Sequence, residues 1–276
     1  MTTPCIITVA ITGSVPRKSN NPNLPVSTEE QVESTHASYE AGASLVHIHV
    51  RDENEEPNHD VDRFAAVQEG IKKHCRGMII QFSSSGHNQQ TEHFTKIMKL
   101  GPDMISFTTG TINFRTRTYE NKPAFIREFG KIMTELNVKP EIEIFDLHML
   151  YTALDIMNEG VIRTPIHAQF VFGVKNTVPA RRSILEFQLS ELHELAPDAT
   201  WTAAGVGRHQ IEANHWALEL GGHCRTGLED NIRYDRHTLA KSNAQLVERV
   251  AGLCGRYDRH PASPEEARTI LALESA

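Results

Sequence analysis

At 276 residues, with 39% apolar and 23% charged side chains, the chain is long enough for a sizeable core and too apolar to stay disordered. Its formal net charge of −7 argues against a general nucleic-acid binder, which needs a basic face to neutralise phosphates. No apolar run approaches the ~18 residues of a membrane span, the opening Met1-Thr2-Thr3-Pro4 has no basic or long apolar region, and the four cysteines form no C-x-x-C pair, so the expectation is a cytoplasmic protein with reduced thiols.

Residues 5–12 form a short β-branched apolar run closed by Gly13, which predicts a fully buried strand. A Pro- and Asn-rich loop follows to Pro25. Ser27 with Glu30 three residues on is a capping-box start for a helix running to Gly42. A strand over 45–50 comes next, then a helix over 60–74, a strand over 78–83 and a helix from Thr91 to Leu100. Strands over 104–110, 140–146, 166–173 and 200–205 alternate with helices over 123–136, 149–159, 180–195 and 210–220. An eighth strand begins at His223, a helix spans 238–254, and Ser263-Pro264-Glu265-Glu266 caps a last short one. Strand–helix alternation with right-handed crossovers predicts an α/β fold, a single (β/α)8 TIM barrel over residues 1–276 with a short extra C-terminal helix. The competing open doubly wound sheet wants a G-x-G-x-x-G turn after strand one, and none is present.

The second strand carries the most chemistry. In Leu45-Val46-His47-Ile48-His49-Val50, alternation puts His47 and His49 on one face, about 6.5–7 Å apart along the strand. Two imidazoles so spaced can supply half of a tetrahedral metal shell; the plain alternative is a pair of satisfied core histidines. Barrel active sites lie at the C-terminal ends of the strands. Polar residues collect there: Thr12, Ser14, Arg51, Asp52, Ser83, Thr108, Thr109, Glu143, Asp146, Gln169, Arg225, Glu229 and Asp230. Strand eight lies one strand from strand two in a closed barrel, so Glu229 or Asp230 could be the third ligand, leaving a position open as in catalytic sites. Arg225 and Asp230 could equally be an ordinary rim ion pair, and the serine run 83–85 a plain loop. Gly205-Val206-Gly207-Arg208 follows strand seven, where barrels often bind phosphate, though glycine turns there are common.

Thr8 to Ser14, Asn23-Leu24-Pro25-Val26-Ser27, the stretch from Gly42 through His47 and His49 to Asp52, Glu141 to Asp146, Gln169 to Gly173, Gly205 to Gln210 and Arg225-Thr226-Gly227-Leu228-Glu229-Asp230-Asn231 together resemble the β-keto acid cleavage enzyme family over nearly the whole chain. The resemblance implies a (β/α)8 barrel, a homotetramer, and Zn²⁺ on His47, His49 and Glu229. It further implies a reaction that joins a β-keto acid to acetyl-CoA and yields acetoacetate and a new CoA thioester. In that chemistry Asp230, held by Arg225, would take the C2 proton, and Ser83 with Thr108 or Thr109 would donate to substrate oxygens. Ser14 and Glu143 would meet the substrate, and Gly205, Gly207 and Arg208 the CoA phosphates. One departure bears on specificity. Enzymes of this family that cleave 3-keto-5-aminohexanoate place an acid just after strand one to meet the ammonium; here the segment reads Gly13-Ser14-Val15-Pro16-Arg17. The expected substrate therefore has a neutral or anionic tail. Two other readings remain open from the residues: an amidohydrolase-type hydrolase recruiting His167 and Asp230, and a non-catalytic metal or small-ligand binding protein.

Overall fold

A computed structural model describes residues 2–84, 91–115 and 117–274; the predicted loop after Ser84 runs into residues outside this set. Eight parallel strands close into a barrel: β1 (Ile7–Ala10), β2 (Leu45–Ile48), β3 (Ile79–Phe82), β4 (Met104–Thr108), β5 (Lys139–Ile144), β6 (His167–Phe172), β7 (Thr200–Gly205) and β8 (His223–Thr226), in sequence order with β8 against β1. Outside them lie α1 (Thr28–Glu40), α2 (Val61–His74), α3 (Thr91–Met98), α4 (Pro123–Glu135), α5 (Leu147–Asn158), α6 (Arg182–Leu195), α7 (Gln210–Leu220) and α8 (Asn243–Cys254). The predicted TIM barrel is therefore present, and so is the extra C-terminal helix, α9 (Pro264–Ile270).

Strand alternation divides the side chains cleanly. Outward residues such as Val9, Val46, Ile80, Phe107, Ile142 and Phe170 pack under the helices as one large apolar cluster. The inward residues are unusual for a barrel, where branched apolar side chains commonly fill the layers. Thr8, His47, Gln81, Ser106, Glu141, His167, Gln169, Thr202 and Arg225 are all buried. The bottom of the barrel is apolar. There Ile6, Leu45, Ile79 and Met104 meet Ala267 and Leu271 from α9 and the turn after it, which plug the N-terminal mouth. Ser263 caps α9 in a reciprocal box with Glu266, as the sequence predicts.

Several predicted boundaries move, each for a local reason. The first strand does not run unbroken over 5–12: Thr3–Cys5 pairs with Arg259–Pro261, and the barrel strand begins at Ile7. The second strand stops at Ile48, and Val50–Arg51 turns away to pair antiparallel with Pro57–Asn58. Arg51 explains the break. Its guanidinium is drawn inward to donate to the backbone carbonyls of Thr12, Gly13, Pro16 and Glu55, where burial lowers its pKa to about 10. Asp146, read as a strand end, is instead the N-cap of α5, its side chain accepting from the Met149 amide at 3.1 Å. The helix read over 238–254 begins only at Asn243, because Ser242 Oγ caps the Gln245 amide.

If α9 is a structural plug, Leu271→Ala should cost about 2–5 kcal/mol of unfolding free energy, the range for a buried Leu truncation. Urea denaturation followed by circular dichroism measures it; a loss within error of zero would mean the barrel bottom closes without it.

Candidate active site

The metal-type cluster assembles across β1. Ala10 is in register with His47 of β2, while Thr8 is in register with Arg225 of β8. After β8 the chain folds back over β1: Gly227, at φ +132°, leaves room for the Ala10 carbonyl, which a Cβ would approach to 2.1 Å. The Ala10 carbonyl accepts from the Glu229 amide at 3.2 Å, and Asn243 Oδ1 accepts from the Leu228 amide at 2.8 Å. That turn delivers Glu229 to the two histidines. His47 Nε2 and His49 Nε2 lie 3.1 Å apart, and Glu229 Oε1 is 3.7 Å from the first and 3.4 Å from the second. Among the described residues this is the group of three side chains able to share one metal ion.

The protonation pattern suits a cation. His47 Nδ1 lies 2.5 Å from Gln81 Oε1, an acceptor, so the ring proton sits on Nδ1 and the Nε2 lone pair faces the cluster. Burial lowers the His47 pKa to about 4, which keeps the ring neutral. Burial works to raise the Glu229 carboxyl, yet His49, Arg225 and His47 together hold it well below the usual carboxylate range. Its Oε2 is buried with no protein hydrogen-bond partner. Two imidazole donors and an anionic carboxylate with a spare oxygen fit a divalent transition metal, and an open fourth position is what a catalytic site requires.

Arg225 ties this cluster to a second carboxylate. Its Nε and Nη2 donate to the two oxygens of Asp230 at 2.8 and 3.0 Å, and Nη2 also donates to Glu229 Oε1 at 2.7 Å. Burial would lower the guanidinium pKa, but the two carboxylates push it well above its ordinary value. Asp230 moves opposite to Glu229: burial raises it, against the pull of Arg225. The pair is thus no rim ornament, since Arg225 is buried inside the barrel.

His49, Arg225, Glu229 and Asp230 line a cavity of about 1650 Å³ at the C-terminal mouth. Ser14, Ser83, Thr108, Glu143, Gly207 and Arg208 line it too. Thr108 Oγ1 donates to Glu143 Oε2 at 2.9 Å, and burial pushes the Glu143 carboxyl up to about 7 despite Arg225 and Thr108. Thr109 does not join them; its hydroxyl donates to the Met149 carbonyl at 2.7 Å, fastening β4 to α5. The glycine turn also differs from a phosphate cradle. Gly205 admits the following turn, where a Cβ would meet the His209 carbonyl oxygen at 2.2 Å, and the Gly207 amide is committed to the Asp230 carbonyl at 2.7 Å. Only Arg208 of that motif offers an exposed cation at the rim. His167 lies away from the cluster, its ring nitrogens 2.8 and 3.1 Å from the hydroxyls of Thr200 and Thr202 and 3.4 Å from Glu141, so it is no metal ligand of the amidohydrolase kind. Sequence reasoning missed Gln81; its identity as the inward residue of β3 in register with His47 could have found it.

The chain is similar to known proteins along nearly its whole length. The profile of the beta-keto acid cleavage enzyme family (BKACE) matches residues 4–273. A 3-oxoadipate:acetyl-CoA acetyltransferase from Cupriavidus necator is 51% identical over 275 residues, covering 100% of this chain and 97% of that protein. A 3-keto-5-aminohexanoate cleavage enzyme from Fusobacterium nucleatum is 40% identical over 272 residues, covering 98% of each. Among solved structures, apo ObcA superposes with a TM-score of 0.81 at 19% identity, over 91% of this chain and 66% of ObcA, a likeness of fold.

Two measurements probe the electrostatics. Replacing Gln81 by Leu removes the acceptor that fixes the His47 tautomer and should weaken divalent-metal affinity about 10- to 100-fold; chelator competition reads this, and unchanged affinity would mean the tautomer is set otherwise. Glu143 has a folded pKa raised from 4.5 to about 7, so its contribution to stability is fully present below 4.5 and is lost as pH rises through about 7. Glu143→Gln should therefore gain stability relative to the parent between roughly pH 5 and pH 8. A pH-independent difference would contradict the raised value.

Proposed function

We propose, since the chain belongs to the beta-keto acid cleavage enzyme family, that it is a zinc-dependent acyltransferase that condenses a β-keto acid with acetyl-CoA and releases acetoacetate and a new acyl-CoA. The observation that carries this reading is the coupling of two carboxylates through one guanidinium. Glu229 completes the His47–His49 cluster, and Asp230, sharing Arg225 with it, stands ready as a base beside the same cavity. The homologous 3-oxoadipate enzyme and the missing acid after β1 both support a tail without an ammonium group, and we favour a β-keto dicarboxylic acid.

Bound at His47, His49 and Glu229, zinc would act as a Lewis acid, polarising the keto acid and stabilising its enolate. The protein supplies the remaining steps. Arg225 fixes Asp230 through two parallel hydrogen bonds, so its carboxylate meets the C2–H in one orientation. Asp230 takes the C2 proton, and its raised pKa strengthens it as a base. The C2 electron pair forms a bond to the acetyl carbonyl carbon, and CoA thiolate leaves. The thiolate attacks the original keto carbon, the bond from that carbon to C2 breaks, and C2 recovers its proton from Asp230. Ser83 stands on the cavity wall to donate to a substrate oxygen, and Thr108 would join it by turning its hydroxyl from Glu143, with Ser14 and Glu143 beside the acid's path. Arg208 at the rim suits a CoA phosphate.

The proposal extends to one domain over residues 1–276, to a homotetramer and to a cytoplasmic setting. Exposed Tyr151, Phe187 and Leu195 on α5 and α6 support association between copies, and four free cysteines support a reducing compartment.

Acetoacetate should form from 3-oxoadipate only when acetyl-CoA is supplied, and faster than from 3-keto-5-aminohexanoate. Asp230→Asn should lower kcat by about 10²- to 10⁴-fold with metal content intact. Product formed without CoA would favour hydrolysis, and no turnover across a keto acid panel would favour a binding protein.

A further inference from the structure

One residue of the cavity wall has no part in the reading above. Gln169 sits on β6 between Glu143 of β5 and Thr202 of β7 in strand register, and it is fully buried at 0% exposure. It lines the cavity, yet neither its Oε1 nor its Nε2 has a protein hydrogen-bond partner. A buried amide so left is costly to the fold, and such groups are rare unless something else satisfies them. Gln188 on α6 and Asn214 on α7 carry unpartnered amides as well, but neither faces the cavity. A second orphaned donor does face it: Arg225 Nη1 is buried without a protein acceptor. Two donors, on β6 and on β8 with β7 between them, thus border one space, and neither has a protein acceptor.

We propose that Gln169 is a substrate-binding residue whose Nε2 donates a hydrogen bond to an oxygen of the β-keto acid. The assignment rests on the functional reading above and names a contact that it lacks. Depth selects the keto acid over the thioester. Gln169 and His47 are 0% and 1% exposed, whereas Arg208 at the rim is open to solvent. A small acid can reach the floor, while acetyl-CoA, carried on a long arm, enters from above. A β-keto acid offers only oxygen acceptors, which matches the two unfilled donors. An amide also adds a donor without adding a charge beside Arg225, so the Asp230 and Glu229 pairing is left undisturbed.

Isothermal titration of acetoacetate into the zinc-loaded protein, without acetyl-CoA, tests this independently of the substrate tail. Gln169→Leu should weaken acetoacetate binding about 10- to 100-fold, the loss of a hydrogen bond to a charged partner. The KM for acetyl-CoA and the zinc content should not change. Its melting temperature should hold or rise, because an apolar side chain replaces an unsatisfied amide; a residue with a purely structural role would show the reverse. Gln169→Met serves as the second variant should the leucine protein fail to fold. Parent-like acetoacetate binding in the variant, or a defect confined to acetyl-CoA, would overturn the assignment alone. Failure of the parent to bind acetoacetate would overturn the functional reading, and the assignment with it.

Discussion

The buried guanidinium of Arg225 is the constraint on which the rest of this barrel depends. Asp230 and Glu229 are adjacent carboxylates largely withdrawn from water, and two such charges side by side repel unless a cation stands between them. Arg225 answers both with one planar fork. It thereby divides the labour, holding Glu229 ionised toward the histidines while Asp230 keeps a raised pKa beside the cavity. Two neighbouring acids of opposite tendency are what an acid–base step next to a cation needs. The fold contributes by pairing β8 with β1 and β1 with β2, so that residues more than 170 positions apart meet across one strand.

That arrangement places polar groups where a barrel commonly keeps branched apolar ones, and the apolar core is displaced accordingly. It lies outside the strands, beneath the helices, and at the bottom, where α9 seals the interior. The polar interior is largely satisfied from within. His47 leans on Gln81, Thr108 on Glu143, His167 on two threonines, and Arg51 on four carbonyls of its surrounding loops. Among the buried polar atoms left without a protein partner, Glu229 Oε2, Arg225 Nη1 and the Gln169 amide border the cavity or the metal cluster.

Much of this was legible in the residues alone, and the exceptions have a common cause. The alternation of apolar runs with capped helices carries the barrel, because each strand and each cap is a local pattern; Ser27 with Glu30 and Ser263 with Glu266 are both present as read. His47 and His49 converge because strand alternation is local too. What escaped depends on neighbours distant in sequence. Nothing near Arg51 announces that it will turn inward to hold the loop after β1 and so end the second strand. Nothing in Thr108-Thr109 tells which hydroxyl enters the cavity; α5 decides by offering the Met149 carbonyl to the second. The glycines at 205 and 207 look like a phosphate loop, yet one admits the next turn and the other binds the backbone of Asp230.

The central claim is that one divalent ion sits between His47, His49 and Glu229 with a coordination position free for substrate. X-ray absorption at the zinc edge of the loaded protein addresses it directly. Two imidazoles and one carboxylate should appear at about 2.0–2.2 Å, with a further light-atom ligand that changes when a β-keto acid is added. Sulfur scattering at about 2.3 Å, or a spectrum unaltered by His47→Ala with His49→Ala, would contradict it.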